Sequence, residues 1–194
     1  MTPRPNQRDA IMCAALACFA RDGYDATRTR QIAEAAGVSD GALYKHFASK
    51  EQLARELYVR GMYVFAEALD VASQGCGTAL EALRAMAVRV LTGYRELPDE
   101  FAYGLLQAPP FAALELPSER ELPMDVVARF IEQGQSDGSV RQGDTRTLAA
   151  SFLGCVLQPI IMSRSTPGCV PDLLGDDTFD VTIVDTAMGA VSAR

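Results

Sequence analysis

The segment Arg30-Gln-Ile-Ala-Glu-Ala-Ala-Gly37-Val-Ser39-Asp-Gly-Ala-Leu-Tyr44-Lys-His-Phe47 leaves little freedom in how this part of the chain folds. Ile32, Ala33 and Ala36 recur at helical spacing and form one small apolar face. Gly37 follows, where a helix end needs a residue that tolerates left-handed backbone. Val38 can pack under the turn. Ser39 is a good N-cap for a second helix, and Asp40 sits near that helix's positive end. Leu43 and Phe47, four apart, share the face that docks on the first helix. The pattern predicts two short helices joined by a tight turn.

The outward face of the second helix narrows the reading. Gly41 and Lys45 point most directly away from Leu43 and Phe47. Ala42 and Tyr44 lie on the flanks, His46 is at the edge, and Lys50 is just beyond. A plain pair of core helices has no use for such a face. A helix lying in the major groove of DNA does.

The surrounding residues carry a resemblance. From Gly23 to Leu53 the chain closely resembles the N-terminal domain of the tetracycline-repressor (TetR) family, and Leu43-Tyr-Lys-His-Phe-Ala-Ser-Lys50 is the most specific part of that match. The strong likeness covers about residues 6–58. Asp137-Gly-Ser-Val-Arg-Gln-Gly-Asp144 is similar to the turn such regulators place before their penultimate helix.

The resemblance implies which residues meet DNA. At the start of the first helix of the pair, Thr29 matches a phosphate contact and Arg30 can reach a base edge, typically guanine. Thr29 is also expected to be the N-cap, since Ile32 and Ala33 then fall inward. Its hydroxyl, with free helix-start N–H groups, would seat a phosphate. Arg28 stands where a small residue is expected and adds a candidate phosphate contact. On the recognition helix the implied contacts are Ser39, Asp40, Gly41, Ala42, Tyr44, Lys45 and His46. Lys50 matches a phosphate-contacting lysine. Lys45 is the best candidate for reading guanine. Gly41 and Ala42 leave room for close approach or for a thymine methyl. Asp40 has two open roles: accepting from cytosine N4, or stabilising the helix start. Gly41 costs about 1 kcal/mol in helix propensity relative to alanine, which points to backbone proximity to DNA or to a soft helix.

Ahead of this pair, residues 7–21 read as a supporting helix, with Ile11, Ala14, Ala15, Cys18 and Phe19 at helical spacing. Arg4 and Arg8 precede or open it and are candidate phosphate contacts. Charge is divided unevenly. Residues 1–60 carry +2 and residues 61–194 carry −9, which together make the net −7 of the 194-residue chain. A basic module on an acidic body suits a regulator whose body need not touch DNA.

Beyond Lys50 the rhythm is helical throughout, so the expected fold is all-α. A three-helix DNA-binding domain would occupy residues 1–50, and a helical effector-binding and dimerisation domain residues 51–194. Helices are expected over 50–72, 78–97, 98–108, 124–135, 147–163 and 178–193. Breaks fall at Ser73-Gln-Gly-Cys-Gly77, at Pro109-Pro110 and over the connector from Ser165 to Asp177. Residues 147–163 carry no charge. That stretch is short for a membrane span and holds Ser151, Gln158 and Pro159, so it reads as a helix buried on all sides. No membrane association is expected.

In the family the last two helices form a four-helix dimer interface. Phe152, Val156, Val181, Val184, Ala187, Met188 and Val191 are the candidates for it here. The middle helices would enclose a ligand pocket lined by Met86, Val90, Tyr94, Phe101, Tyr103, Leu106, Phe111, Phe130 and Phe152, although plain core is the commoner use of such residues. Few charges lie on those faces, with Arg84, Arg89 and Arg95 the nearby bases. A small apolar or aromatic effector is therefore favoured over a polar anion. Effector binding would move the helix after Lys50, alter the separation of the two headpieces and release a pseudo-palindromic operator.

The alternative is a helical carrier or enzyme with an incidental helix-turn-helix. No Ser/His, Cys/His or Gly-rich phosphate constellation supports catalysis. His46 is the chain's single histidine, so no His/Cys metal cluster is available and no cofactor is implied. The five cysteines, Cys13, Cys18, Cys76, Cys155 and Cys169, show no paired spacing and no signal peptide is evident. That usage suits a reducing cytoplasm. Each cysteine is expected to be a small buried hydrophobe, with a redox role open for Cys76 and Cys169.

Overall fold

The computed structural model describes residues 6–104 and 120–193, apart from 167, 169, 171, 174 and 176. Leu106, Phe111, Arg4, Cys169 and the Pro109-Pro110 break lie outside the described residues. Among those described, the regular elements are helices, with one isolated antiparallel bridge between Val140 and Ser192. In chain order the helices are α1 (Gln7–Asp22), α2 (Thr29–Ala36), α3 (Asp40–His46), α4 (Lys50–Ser73), α5 (Ala79–Glu96), α6 (Pro98–Ala102), α7 (Pro123–Asp137), α8 (Thr145–Ser165) and α9 (Asp180–Val191).

The chain divides into two compact units, Met1–Gly61 with Asp99–Pro117 and Met62–Pro98 with Ser118–Arg194. The sequence places the boundary at residue 50. The first unit runs on into α4 because Leu53, Ala54 and Leu57 complete its core. That core also holds Ile11, Ala15, Cys18 and Phe19 of α1, Ile32 and Ala33 of α2, and Leu43 and Phe47 of the α3 region. Asn6 caps α1 by accepting from the Asp9 N–H at 2.9 Å. Cys13 is exposed rather than buried, because it falls on the far side of α1 from Ile11 and Ala15.

Tyr103 joins this first core. Its ring stacks on Phe19 with centroids 5.6 Å apart, and its hydroxyl donates to the Ala54 carbonyl at 2.7 Å. By sequence Tyr103 is a candidate pocket residue. The structure fills the headpiece with it.

The second unit is built from the rest of α4 with α5, α7, α8 and α9. A reciprocal box starts α5: Thr78 Oγ1 accepts from the Glu81 N–H at 3.2 Å, while Glu81 accepts from the Gly77 and Thr78 N–H groups. Between α7 and α8, the Asp137–Asp144 turn is fastened at both ends. The Gln135 amide donates to the carbonyls of Arg141 and Gly143 at 3.2 and 2.9 Å. Asp144 caps α8, accepting from the Thr147 N–H and hydroxyl at 2.8 and 2.6 Å, and those bonds hold its carboxyl below the usual carboxylate pKa. The chain after α9 pairs with this turn through Arg141 N–H to Val191 O at 2.8 Å and Ala193 N–H to Ser139 O at 2.9 Å. At the start of α9, Arg95 grips Asp180 with two bonds of 2.8 and 2.7 Å and also donates to the Leu173 carbonyl at 3.0 Å.

Helix α8 is long and apolar enough to cross a membrane by length and composition. It is not buried on all sides, as its sequence suggests. Leu148, Ala149, Phe152, Leu153, Val156 and Ile160 face inward, while Ala150, Ser151, Gly154 and Gln158 are exposed. The small and polar residues sort to the outer side, so the buried face is a stripe at helical spacing.

Candidate nucleic-acid interface

The turn between α2 and α3 follows from Gly37, whose backbone is left-handed at φ 67°. Its N–H groups satisfy the end of α2, with Gly37 donating to Glu34 O and Val38 to Ala33 O at 3.1 and 3.0 Å. Ser39 then caps α3 by accepting from the Ala42 N–H at 3.2 Å. Leu43 and Phe47 are wholly buried against α1 and α2. This packing fixes which side of α3 looks outward.

Exposed on that side are Ser39, Asp40, Gly41, Tyr44 and Lys45, with Ala42 and His46 half-buried beside them. Tyr44 is 52% exposed, a large aromatic that the core does not claim. Its hydroxyl lies 3.1 Å from the Thr29 hydroxyl, which links the start of α2 to α3. His46 Nε2 lies 3.2 Å from the Gln7 side-chain oxygen. A Cβ on Gly41 would meet only the Ser39 Oγ at 4.0 Å. The fold therefore gives no steric reason for glycine there.

The N-cap of α2 differs from the expectation. Arg28 occupies it, and Thr29 is the first helical residue. The Gln31 side chain accepts from the Arg28 N–H at 2.7 Å, so the cap is made from within the helix. This leaves the Thr29 hydroxyl free to meet Tyr44. Arg28 and Arg30 are exposed. Arg30 bonds Glu34 one turn on at 3.0 Å, and Glu34, with Asp40 behind it, raises the Arg30 pKa above its ordinary value. So exposed a pair is worth little and can exchange partners readily.

Two of the candidate phosphate contacts are engaged inside the unit. Arg8 pairs with Glu56 and lies over the Phe47 ring at 4.8 Å. The Lys50 ammonium donates to the carbonyls of Tyr24 and Thr27.

In the second unit, Met86, Val90, Tyr94 and Phe152 of the expected pocket set are fully buried. Phe130 is half-buried under the Arg129 guanidinium, 5.0 Å from its ring. Phe101 is half-buried and lies in the first unit's portion of the chain. Arg84, Arg89 and Arg95 are all in ion pairs, with Asp185, Glu96 and Asp180. Among the described residues, no group of three or more His, Cys, Asp or Glu side chains is placed to hold a metal ion.

The expected dimer set divides sharply. Phe152, Val156, Val184, Ala187, Met188 and Val191 are buried within the chain itself, while Val181 is 68% exposed. The buried members on α9 lie along the seam where it packs against α8 and α5 of the same chain. The outer side of α9 carries Val181, Thr182, Asp185, Thr186 and Gly189. Sequence periodicity locates such a seam without saying which chain lies across it.

A trihelical head whose third helix turns aromatic and basic side chains outward defines a helix-turn-helix DNA-binding protein. Residues 11–57 match the family model for bacterial regulatory proteins of the tetR family. The chain is 33% identical over 175 residues to the transcriptional repressor KstR2 of Rhodococcus jostii, covering 79% of this chain and 81% of that one. It is 31% identical over 139 residues to KstR2 of Mycobacterium tuberculosis, covering 66% and 68%. Among solved structures, the regulator FadR of Bacillus subtilis, in complex with stearoyl-CoA, superposes with a TM-score of 0.80 at 18% identity, covering 94% of this chain and 98% of that one. The chain belongs to the TetR family and is a DNA-binding transcriptional regulator.

Proposed function

We propose that this regulator is a homodimeric repressor. It holds a pseudo-palindromic operator through α2 and α3 of each protomer and releases it when a small apolar or aromatic effector enters the helical body. The observation that carries the reading is the outward face of α3, where Gly41, Tyr44 and Lys45 stand exposed over a buried apolar core. Arg28, Thr29, Arg30, Ser39, Asp40, Ala42 and His46 complete the contact set. The KstR2 relatives are named repressors, which supports repression here. The reading places the protein in the cytoplasm and assigns it no catalytic step.

A mobility-shift assay with DNA from beside the gene tests the core of the proposal. Salt-sensitive, sequence-specific binding by a dimer is the expected result. Lys45→Ala should cost about 1–3 kcal/mol and relax selection at one base position. An unchanged profile on a degenerate operator library would remove Lys45 from base reading.

The second unit supports the effector class. Its core side chains are apolar, and its three α5 arginines are already paired with carboxylates. The stearoyl-CoA held by the Bacillus subtilis FadR joins a long apolar acyl chain to an anionic head, and the acyl chain is the part whose chemistry supports an apolar ligand here. Titrating a neutral aromatic compound, a long-chain acyl-CoA and free CoA, which is the anionic head alone, into the operator complex checks this. Release by polar anions alone would contradict it.

For the dimer, the outer faces of α8 and α9 are the surfaces left for a second copy. Val181→Glu is expected to shift the protein toward monomer in sedimentation while leaving its helical circular dichroism unchanged. A variant that stays dimeric at equal concentration would remove α9 from the interface.

A further inference from the structure

Lys50 opens α4, and the chain holds only one other lysine, Lys45. The resemblance gives Lys50 a phosphate. Its position gives it other work. The ammonium donates to Tyr24 O at 2.8 Å and Thr27 O at 2.9 Å and lies 4.2 Å from the centre of the Tyr24 ring. An ammonium has three donors. Two are on carbonyls, and the charge rests against an aromatic face.

Those two carbonyls belong to the connector between α1 and α2. The connector is held at a second point by Thr27, which is 1% exposed and whose hydroxyl donates to Gly23 O at 2.7 Å. Thr27 is two residues ahead of Thr29, the first residue of α2. The first N–H groups of a helix have no acceptor within it, so the direction of this connector sets where they point. Lys50 thus reaches from the start of α4 to the connector that leads into α2.

We propose that Lys50 is a positioning residue for the operator interface: it fixes the Tyr24–Thr27 connector, and with it the presentation of Thr29 and Arg30, and neutralises no phosphate itself. The proposal rests on the reading that α2 and α3 meet DNA. It also gives α4 a physical handle on α2.

The test uses the full-length protein, wild type and Lys50→Met, with operator affinity measured across a salt series. A lysine that neutralises a phosphate contributes about 0.9 to the slope of log affinity against log salt. Positioning predicts that Lys50→Met weakens operator binding while the slope keeps its wild-type value. It also predicts faster amide hydrogen exchange at Thr29 and Arg30 in the DNA-free variant. A slope reduced by about one per protomer, with unchanged exchange in the free protein, would overturn the proposal. So would unchanged affinity.

If Lys50→Met does not fold, the wild type still decides. With two lysines the ammonium NMR spectrum is simple. The Lys50 signal should be slow to exchange without DNA and stay in place when operator is added, while Lys45 moves. A Lys50 shift as large as that of Lys45 would show a phosphate contact and end the proposal. Absence of specific binding by the wild type would instead remove the DNA reading on which it rests.

Discussion

Tyr103→Ala is expected to destabilise the first unit by about 3–5 kcal/mol, in the range of large aromatic truncations in a packed core. Whole domains are stable by only about 5–15 kcal/mol, so a large part of the margin goes and operator binding should fail at temperatures where the wild type still binds. Tyr103 is 2% exposed, stacked on Phe19 and bonded to the Ala54 carbonyl. Burial also raises its phenol pKa well above the ordinary value, so the ring stays neutral over the working range. Tyr103→Phe keeps the ring and gives up one hydrogen bond, with an expected cost of about 0.5–1.5 kcal/mol. Urea unfolding followed by circular dichroism, beside operator binding, measures both. A Tyr103→Ala variant with wild-type stability and an altered effector response would return Tyr103 to a ligand pocket.

Tyr103 also shows where sequence reading stops. Its partner Ala54 is 49 positions away, and nothing in local spacing distinguishes an aromatic that completes the headpiece from one that lines the body. The same limit applies to α9, where Val184, Ala187, Met188 and Val191, candidates for a dimer interface by sequence, are buried within the chain itself. Short-range chemistry read more faithfully. Gly37 took the left-handed turn, Ser39 the cap of α3, and Leu43 with Phe47 the inward face, because each depends on neighbours within a few residues. The cap of α2 lay between these cases. Thr29 has the residue type of a cap, but the Gln31 side chain accepts from the Arg28 N–H, so Arg28 holds the cap position. Lys50 is the sharpest instance. The motif identifies the residue, and only the fold shows that its charge points back at Tyr24 and Thr27.

Gly134→Ala sets two effects of opposite sign against each other. Gly134 lies inside α7, where alanine is the better helix former by about 0.8–1 kcal/mol. Propensity alone therefore predicts a more stable protein. A Cβ at this position would sit 2.4 Å from Val140 Cγ2 and 2.9 Å from Val140 Cβ, distances that real Cβ atoms do not reach. Val140 cannot easily give way. It is 1% exposed, its N–H donates to Gly134 O at 2.9 Å, and the neighbouring Ser139 and Arg141 are paired with the chain end after α9. Overpacking of this kind costs about 1–3 kcal/mol and more where the neighbour is fixed, so it outweighs the helix gain. The net expectation is a loss of stability of the second unit, with the Val140 bridge as the first part to loosen. Hydrogen exchange at the Val140 and Arg141 amides should rise before global unfolding does. Adding Val140→Ala to Gly134→Ala should recover part of the loss, a coupling of about 0.5–3 kcal/mol in a double-mutant cycle. Equal or greater stability of Gly134→Ala would mean that the α7–α8 turn yields more readily than its hydrogen bonds imply, and that propensity governs this position after all.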